Sequence, residues 1–204
     1  MLGMTFMRHR LPLLLIAILL SACGPQEVLQ SKSAAVPYGI DLSGRWTMRP
    51  ESKKGQPGIN EAINRTDGID NKRLMQEMIN AQRGGGRRSG KTRGGLVGVF
   101  LESGDALKIT QTEHGLFISF DRSVVEEFRF GEYRPISVGQ ADAMRVSGWE
   151  GEDYVVETLG EKGMKLTDRY SLSTDRQGLT RHITLRGADL QEVTIVQEFD
   201  RENR

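Results

Sequence analysis

The stretch Asp41-Leu42-Ser43-Gly44-Arg45-Trp46-Thr47-Met48 decides the fold of this chain. Leu42, Trp46 and Met48 stand an even number of residues apart, a period of two that predicts a strand with one buried face. Gly44 precedes the tryptophan by two residues, which indicates a bend or the close approach of another segment. We therefore expect this strand to open the folded domain.

The chain after residue 95 repeats short alternating segments that are separated by turn residues. Tyr170 and Leu172, for example, oppose Arg169 and Ser171. The predicted strands are 96–101, 106–111, 116–121, 124–130, 136–138, 144–149, 154–159, 165–173, 179–186 and 193–200. Short strands at near-regular spacing predict an antiparallel meander, and closure into a barrel would remove its exposed edges. The expected fold class is mainly β, an antiparallel up-and-down β-barrel.

A segment of another kind, at about 50–95, follows the first strand. Asp70 or Asn71 is expected to cap a helix that runs to about Gln82. In residues 83–95, six of thirteen are Gly and five are basic, which favours a solvated loop. The basic residues are Arg83, Arg87, Arg88, Lys91 and Arg93. The domain is thus expected to carry a short helical, basic insertion.

Charge is distributed unevenly along the chain. Residues 45–95 hold 12 Lys and Arg against 5 Asp and Glu, whereas residues 96–204 hold 13 against 20. The five cations of the insertion are therefore candidate contacts for an acidic lipid, a polyanion or an acidic protein partner. The insertion can equally fold back onto the acidic remainder of its own domain.

The N-terminal residues 1–22 have the features of a secretion signal. Two arginines precede an apolar run over 11–20, which is shorter than the roughly 20 residues that span a bilayer. The following Leu20-Ser21-Ala22-Cys23 resembles the lipobox of bacterial lipoproteins. That resemblance implies cleavage before Cys23, diacylglycerol on its thiol and an acyl group, such as palmitate, on the new amino terminus. The alternative is an ordinary signal peptide with Cys23 as a free thiol.

Further expectations follow from the lipobox. Gly24 resembles the class of lipoproteins sent to the outer membrane, so we expect a lipid-anchored protein of the bacterial cell envelope that faces the periplasm. Residues 23–40 would be the lipidated cysteine and a tether, because Pro25 and Pro37 break any period. The barrel domain then covers 41–204. Cys23 is the only cysteine, so the domain folds without an internal disulfide.

The opening strand also carries a family resemblance. Gly44-Arg45-Trp46 looks like the Gly-x-Trp strand of lipocalins, and Arg201 lies where lipocalins often pack an arginine over that tryptophan. The chain is also similar to uncharacterised bacterial exported proteins that open with Asp-Leu-Ser-Gly-x-Trp. They share strands like Leu107–Gln111 and Leu166–Ser173. These resemblances imply a lipocalin-like barrel and no particular activity.

No catalytic set is evident. Residues 85–92 match the phosphate-loop string, but that chemistry needs a preceding strand and a following helix, and here the order is reversed. His114 and His182 have no cysteine or carboxylate at a spacing typical of a metal site. Glu150, Glu152 and Asp153 share one turn, where solvated charges are expected. We expect no metal, no cofactor and no nucleic-acid partner.

Three classes of function remain. The first is a non-catalytic interaction module of the envelope that acts through its basic insertion or outer surface. The second is a carrier of a small apolar ligand, with Trp46 and Trp149 as walls of a cavity, because an eight-stranded barrel is just wide enough for one small ligand. The third is an enzyme of unknown type, for which no nucleophile and base can be assembled.

Overall fold

The computed structural model describes residues 27–53, 101–102, 104–122, 124–138, 141–160, 163–187 and 192–202. These residues form ten strands and one 3-10 turn at Pro50–Lys53. The strands are β1 (Gly44–Met48), β2 (Ala106–Gln111), β3 (Gly115–Phe120), β4 (Val124–Arg129), β5 (Glu132–Val138), β6 (Ala141–Glu150), β7 (Asp153–Gly160), β8 (Lys165–Leu172), β9 (Gly178–Arg186) and β10 (Glu192–Arg201). In these ranges no helix has the length and apolarity needed to cross a membrane.

All ten strands belong to one antiparallel sheet with the order β4-β3-β2-β1-β10-β9-β8-β7-β6-β5. β2–β4 and β5–β10 form two meanders, and β1 pairs with both β2 and β10 and so joins them. The two edge strands, β4 and β5, are consecutive along the chain. The sheet curls until β4 meets β6, where the Ser147 hydroxyl donates to the Arg129 carbonyl at 2.7 Å. The predicted antiparallel up-and-down arrangement is confirmed as a nearly closed barrel.

Nine of the predicted segments correspond to β2–β10, with ends that differ by a few residues. The largest difference is β5, predicted as 136–138 and observed from Glu132. Most of this edge strand is exposed, so it lacks the alternation that reveals a half-buried strand, and an edge also tolerates Pro135. The predicted strand 96–101 lies almost wholly outside the described residues. The predicted helix and the Gly/Arg-rich segment of the insertion lie outside them too.

Trp46 is fully buried in the core, and both its indole N–H and its ring make specific contacts. Its indole N–H donates to the Leu42 carbonyl at 3.1 Å. The Arg201 guanidinium lies over the ring, 4.2 Å from its centroid, and donates to the Ser43 carbonyl at 2.6 Å. A Cβ at Gly44 would lie 2.7 Å from that guanidinium, so a larger residue would push Arg201 away from its position over the ring. The expected packing of Arg201 over the tryptophan is confirmed.

The N-terminal residues 27–36, here called the strap, pack against the sheet. Ser33 exchanges two backbone hydrogen bonds with Trp149, at 3.1 and 2.9 Å, beyond the point where β5 stops pairing with β6. A Cβ on Gly148 would lie 2.5 Å from the Ser33 carbonyl oxygen. The expected tether 23–40 therefore differs from the observed structure over its described part, because this part fills an open edge of β6 and does not hang free.

We expect Arg201→Met to lower the free energy of unfolding by about 2–3 kcal/mol. The substitution removes a cation–π contact and hydrogen bonds to two backbone carbonyls, those of Ser43 and Arg176. Urea unfolding of the folded chain measures the change. Arg45→Met, at an exposed position of the same sheet region, is the control and should leave the midpoint nearly unchanged; equal shifts for both variants would contradict the assignment.

Candidate functional site

A layer of polar side chains crosses the interior of the barrel. It lies between an apolar cluster around Trp46 at one end and a second around Ile183 at the other. On β9, Arg181 stands in phase with Leu179 below it and Ile183 above it, so it points inward. The members of this polar layer are Glu126, Arg145, Thr158, Asp168, Arg181 and Gln197.

Arg181 is the centre of the polar layer and is fully buried. Its guanidinium binds the Asp168 carboxylate through two hydrogen bonds, Nε to Oδ1 at 2.8 Å and Nη2 to Oδ2 at 2.6 Å. It also donates to the Gln197 amide oxygen at 3.3 Å and to the Glu102 carbonyl at 2.9 Å. Burial acts to lower the pKa of Arg181, but the charge of Asp168 outweighs it, so the pKa is raised and the guanidinium stays charged.

Tyr170 completes the surroundings of Asp168. Its hydroxyl donates to Asp168 Oδ2 at 3.0 Å, and its ring lies 5.4 Å from the Arg181 guanidinium. The ring of Phe120 lies 5.0 Å from the same guanidinium. Burial, more than any other cause, raises the pKa of Tyr170 well above its ordinary value, so the phenol remains neutral and remains a donor.

Arg145 enters the polar layer from β6 and is less completely bound than Arg181. Its Nε donates to the Thr158 hydroxyl at 3.2 Å and its Nη1 to Glu126 Oε2 at 3.2 Å. A guanidinium carries five N–H donors, so Arg145 has donors that no described residue accepts from. Burial raises the pKa of Glu126 above its ordinary value, although the positive charge of Arg145 opposes the rise. The Glu126 carboxyl therefore keeps its proton to a higher pH than an exposed glutamate does.

A small cavity adjoins the polar layer. Its volume is about 10 Å³, which is room for about one water molecule. Both arginines and both carboxylates of the layer line it, together with apolar side chains of the neighbouring clusters. The arrangement can hold one small group that accepts hydrogen bonds. It has no space for an acyl chain beside the side chains already there.

The two tryptophans predicted as cavity walls lie elsewhere. Trp46 and Trp149 both belong to the larger apolar cluster, and neither is among the residues that line the cavity. Trp149 packs against Phe130 and Tyr154 with ring centroids 5.5 and 5.3 Å apart. The indole N–H of Trp149 is buried and has no hydrogen-bond partner among the described residues, whereas that of Trp46 donates to Leu42.

Tyr154 shares this feature with Trp149. Its buried hydroxyl also has no hydrogen-bond partner among the residues described. Burial raises the pKa of Tyr154, and the nearby Ser147 hydroxyl offsets only part of the rise. Ser147 donates its own proton to the Arg129 carbonyl, so it is not a donor to the tyrosine oxygen. The phenol is therefore neutral at physiological pH.

The other predicted residues are distributed over the surface or lie outside the described ranges. Cys23, Arg83, Arg87, Arg88, Lys91 and Arg93 belong to the latter group. His114 is exposed in the turn between β2 and β3, and His182 lies on the outer face of β9, away from the polar layer. Within the described ranges, no three or more His, Cys, Asp or Glu side chains are placed to hold a metal ion.

The sequence predicts solvated charges in the acidic turn between β6 and β7, but two of its carboxylates form ion pairs. Glu150 pairs with Lys32 and Arg169, and Asp153 pairs with Arg169 at 2.9 Å. Burial acts to raise the pKa of Glu150, but the hydrogen bonds from both cations outweigh it and lower the pKa. Two of the three acidic side chains are thus part of an ion-pair network on the outer face.

Sequence reasoning missed the polar layer, although a signal was present. Asp168 stands in phase with Leu166 and Tyr170, just as Arg181 stands in phase with Leu179 and Ile183. A charged residue in the apolar register of a strand predicts an inward-facing charge. Two neighbouring strands that carry inward-facing charges of opposite sign predict a buried ion pair.

We expect Asp168→Ala to lower the free energy of unfolding by about 3–5 kcal/mol, because it leaves the Arg181 charge buried without a partner. The double variant Asp168→Leu/Arg181→Met removes both charges and should recover most of that loss, as replaced buried pairs often do. Urea unfolding of both variants and the parent measures the effect. A double variant as unstable as the single one would show that Asp168 matters for another reason.

The raised pKa of Glu126 predicts a pH dependence of stability. In the pH range between its unfolded value, near 4.5, and its higher folded value, the native state binds a proton that the unfolded chain has lost. The contribution of Glu126 is therefore present at lower pH and is lost as the pH rises through that range. Relative to Glu126→Gln, the parent should lose stability from about pH 4.5 upward; the exposed Glu127→Gln is the control, and parallel curves for parent and Glu126→Gln would refute the prediction.

Comparison with known proteins gives no family for the chain. No family profile and no curated protein matches it. Among solved structures, secretory abundant heat soluble protein 4 from Ramazzottius varieornatus aligns with a TM-score of 0.46 and 15% identity, covering 87% of this chain and 100% of that one. Another secretory abundant heat soluble protein structure from Ramazzottius varieornatus gives 0.38 and 13%, covering 48% and 70%. The REP1-NXSQ fatty acid transporter gives 0.44 and 12%, covering 80% and 98%. All three TM-scores are below 0.5, so the fold rests on the strand pairing itself.

Proposed function

We propose that the protein is a lipid-anchored, non-catalytic interaction module of the bacterial cell envelope. In this proposal Cys23 carries the lipid, the barrel is a rigid scaffold, and the basic insertion contacts acidic lipid head groups. The location that follows is the periplasmic face of the outer membrane.

The observation that carries the proposal is that side chains of the described residues fill the barrel interior at the polar layer. The cavity at the polar layer measures about 10 Å³, whereas pockets for drug-sized ligands measure about 300–1,000 Å³. Arg181 already has its charge neutralised by Asp168, and four of its five N–H donors are used by Asp168, Gln197 and the Glu102 carbonyl. A scaffold whose interior is occupied by its own side chains acts through its surface.

The placement of the chain ends around the insertion supports a contact with lipid. Glu27, the first described residue, pairs with Lys165 and Arg186 at the end of the barrel near the Ile183 cluster. Leu101, where the chain re-enters after the insertion, packs against that same cluster. A lipid on Cys23 and the return of the chain from the insertion would therefore lie on the same half of the barrel, whereas the chain departs into the insertion beside Glu198, whose N–H donates to the Ser52 hydroxyl.

A second candidate function is binding of a small ligand in the interior. A buried ion pair is weak evidence for a gain in stability, and Arg145 lines the cavity with N–H donors that no described residue accepts from. The ligand would then need a small hydrogen-bond acceptor, such as a carboxylate, and would not be purely apolar. To admit anything larger than water, the side chains around the cavity would have to move.

Membrane partition of the full chain in a Gram-negative host tests the main proposal. We expect the parent to sediment with membranes and Cys23→Ala to become soluble. Replacement of Arg83, Arg87, Arg88, Lys91 and Arg93 by Gln should leave lipidation intact but weaken binding of the purified protein to vesicles rich in phosphatidylglycerol, at about 1 kcal/mol per removed cation near the surface.

The control replaces five exposed Lys and Arg residues of the barrel, among them Lys108 and Arg122, by Gln. Equal weakening in this control would show that the insertion has no special role. Native mass spectrometry of the same preparations addresses the second candidate. A small molecule that the parent retains and Arg145→Met loses would favour ligand binding in the interior over the proposal that the barrel is only a scaffold.

A further inference from the structure

The strap is fixed to the barrel by a continuous ladder of ion pairs. Lys32, almost completely buried, pairs with Glu150 and with Glu157 at 3.0 Å. Lys165 then pairs with Glu157 at 2.9 Å and with Glu27 at 3.0 Å. By alternation Val155 and Glu157 of β7 point outward, yet both are buried, because the strap covers this face.

The ladder defines the direction of the strap along the barrel. Glu27 lies beside Lys165 and Arg186, where β8 begins and β9 ends. Ser33 pairs with Trp149, where β6 ends. The strap thus runs from one end of the barrel to the other.

We name the end at Glu27 the strap end; it includes the turns β3–β4, β5–β6, β7–β8 and β9–β10. The opposite, free end includes the turns β2–β3, β6–β7 and β8–β9.

The chain between the expected lipid and the strap is short. Four residue steps separate Cys23 from Glu27, and a fully extended chain of that length reaches about 14 Å. β10 has ten residues and is therefore about 33 Å long. A lipid on Cys23 can bring the strap end to a bilayer, but the free end lies beyond its reach while the strap stays bound.

We propose that the strap sets the orientation of the barrel on the membrane, with the strap end against the bilayer surface and the free end directed away. This proposal rests on the lipidation of Cys23 proposed above. The partner is the surface of a lipid bilayer. The strap therefore acts as a rigid mount, and the free end, with His114 and the acidic β6–β7 turn, is the part presented to the aqueous space.

Single-cysteine labelling of the full-length lipidated chain tests the orientation. Val138→Cys lies at the strap end and His114→Cys at the free end, and both native side chains are exposed. Each variant is labelled with a thiol-reactive fluorophore and placed in phosphatidylethanolamine/phosphatidylglycerol vesicles that contain a headgroup nitroxide lipid. We expect the label at position 138 to lose most of its fluorescence and the label at position 114 to retain most of it.

Release of the strap should remove that difference. Lys32→Glu gathers three carboxylates at the ladder, and Ser33→Pro removes the N–H that donates to the Trp149 carbonyl. In either background the two labels should become similarly quenched, while circular dichroism verifies that the barrel is folded. Lys108→Glu makes the same charge change at an exposed position of β2 and should preserve the difference.

The chain without an added cysteine separates the two possible failures. A lipidated Cys23 has no free thiol, so this chain should take up no fluorophore. Labelling of Cys23 would overturn the lipid anchor and the orientation together. No labelling of Cys23, combined with equal quenching at positions 138 and 114 in the parent background, would overturn the orientation alone.

Discussion

The buried pair of Arg181 and Asp168 is the interaction on which the interior of the barrel depends. Two charges removed from water are tolerated only when their geometry is good and their remaining donors and acceptors are used. Here β8 supplies the carboxylate with its Tyr170 hydroxyl bond, β9 supplies the guanidinium, and β10 supplies Gln197. The connection between the insertion and β2 also takes part, because the Glu102 carbonyl accepts a hydrogen bond from Arg181. The registers of three strands and one connection are thereby coupled at one point.

The polar layer also divides the core in two. Below it, the cluster around Trp46 is closed by Arg201, and above it a smaller cluster surrounds Ile183. Because the layer crosses the barrel, an elongated apolar cavity cannot run through the described interior without breaking ion pairs. This arrangement is why a small cavity of about 10 Å³ accompanies a barrel of ten strands. It favours a scaffold, or recognition of one small polar group, over transport of an apolar molecule.

The outer face has an independent set of charges. The strap and the strands beneath it alternate Glu27, Lys165, Glu157, Lys32 and Glu150 in one ladder. Partly buried pairs of this kind are screened by salt much less than exposed ones. The strap therefore belongs to the fold and is more than a spacer. It links the proposed site of anchoring at Cys23 to the proposed orientation of the domain.

Alternation and turn residues predicted the strands and their antiparallel order, because these patterns are local and each hairpin pairs neighbours in the chain. The packing of Arg201 over Trp46 followed instead from the resemblance to lipocalins. The sequence also contains Leu20-Ser21-Ala22-Cys23, which resembles the lipobox of bacterial lipoproteins. Only the tertiary structure decided that Trp46 and Trp149 pack in the core, that Arg145 and Arg181 face inward, and that the strap lies on β6–β8. These features join residues such as Lys32 and Glu157, or Glu102 and Arg181, which are far apart in the chain. No local pattern reports such contacts, since they depend on how far the sheet curls and on which edge it leaves open.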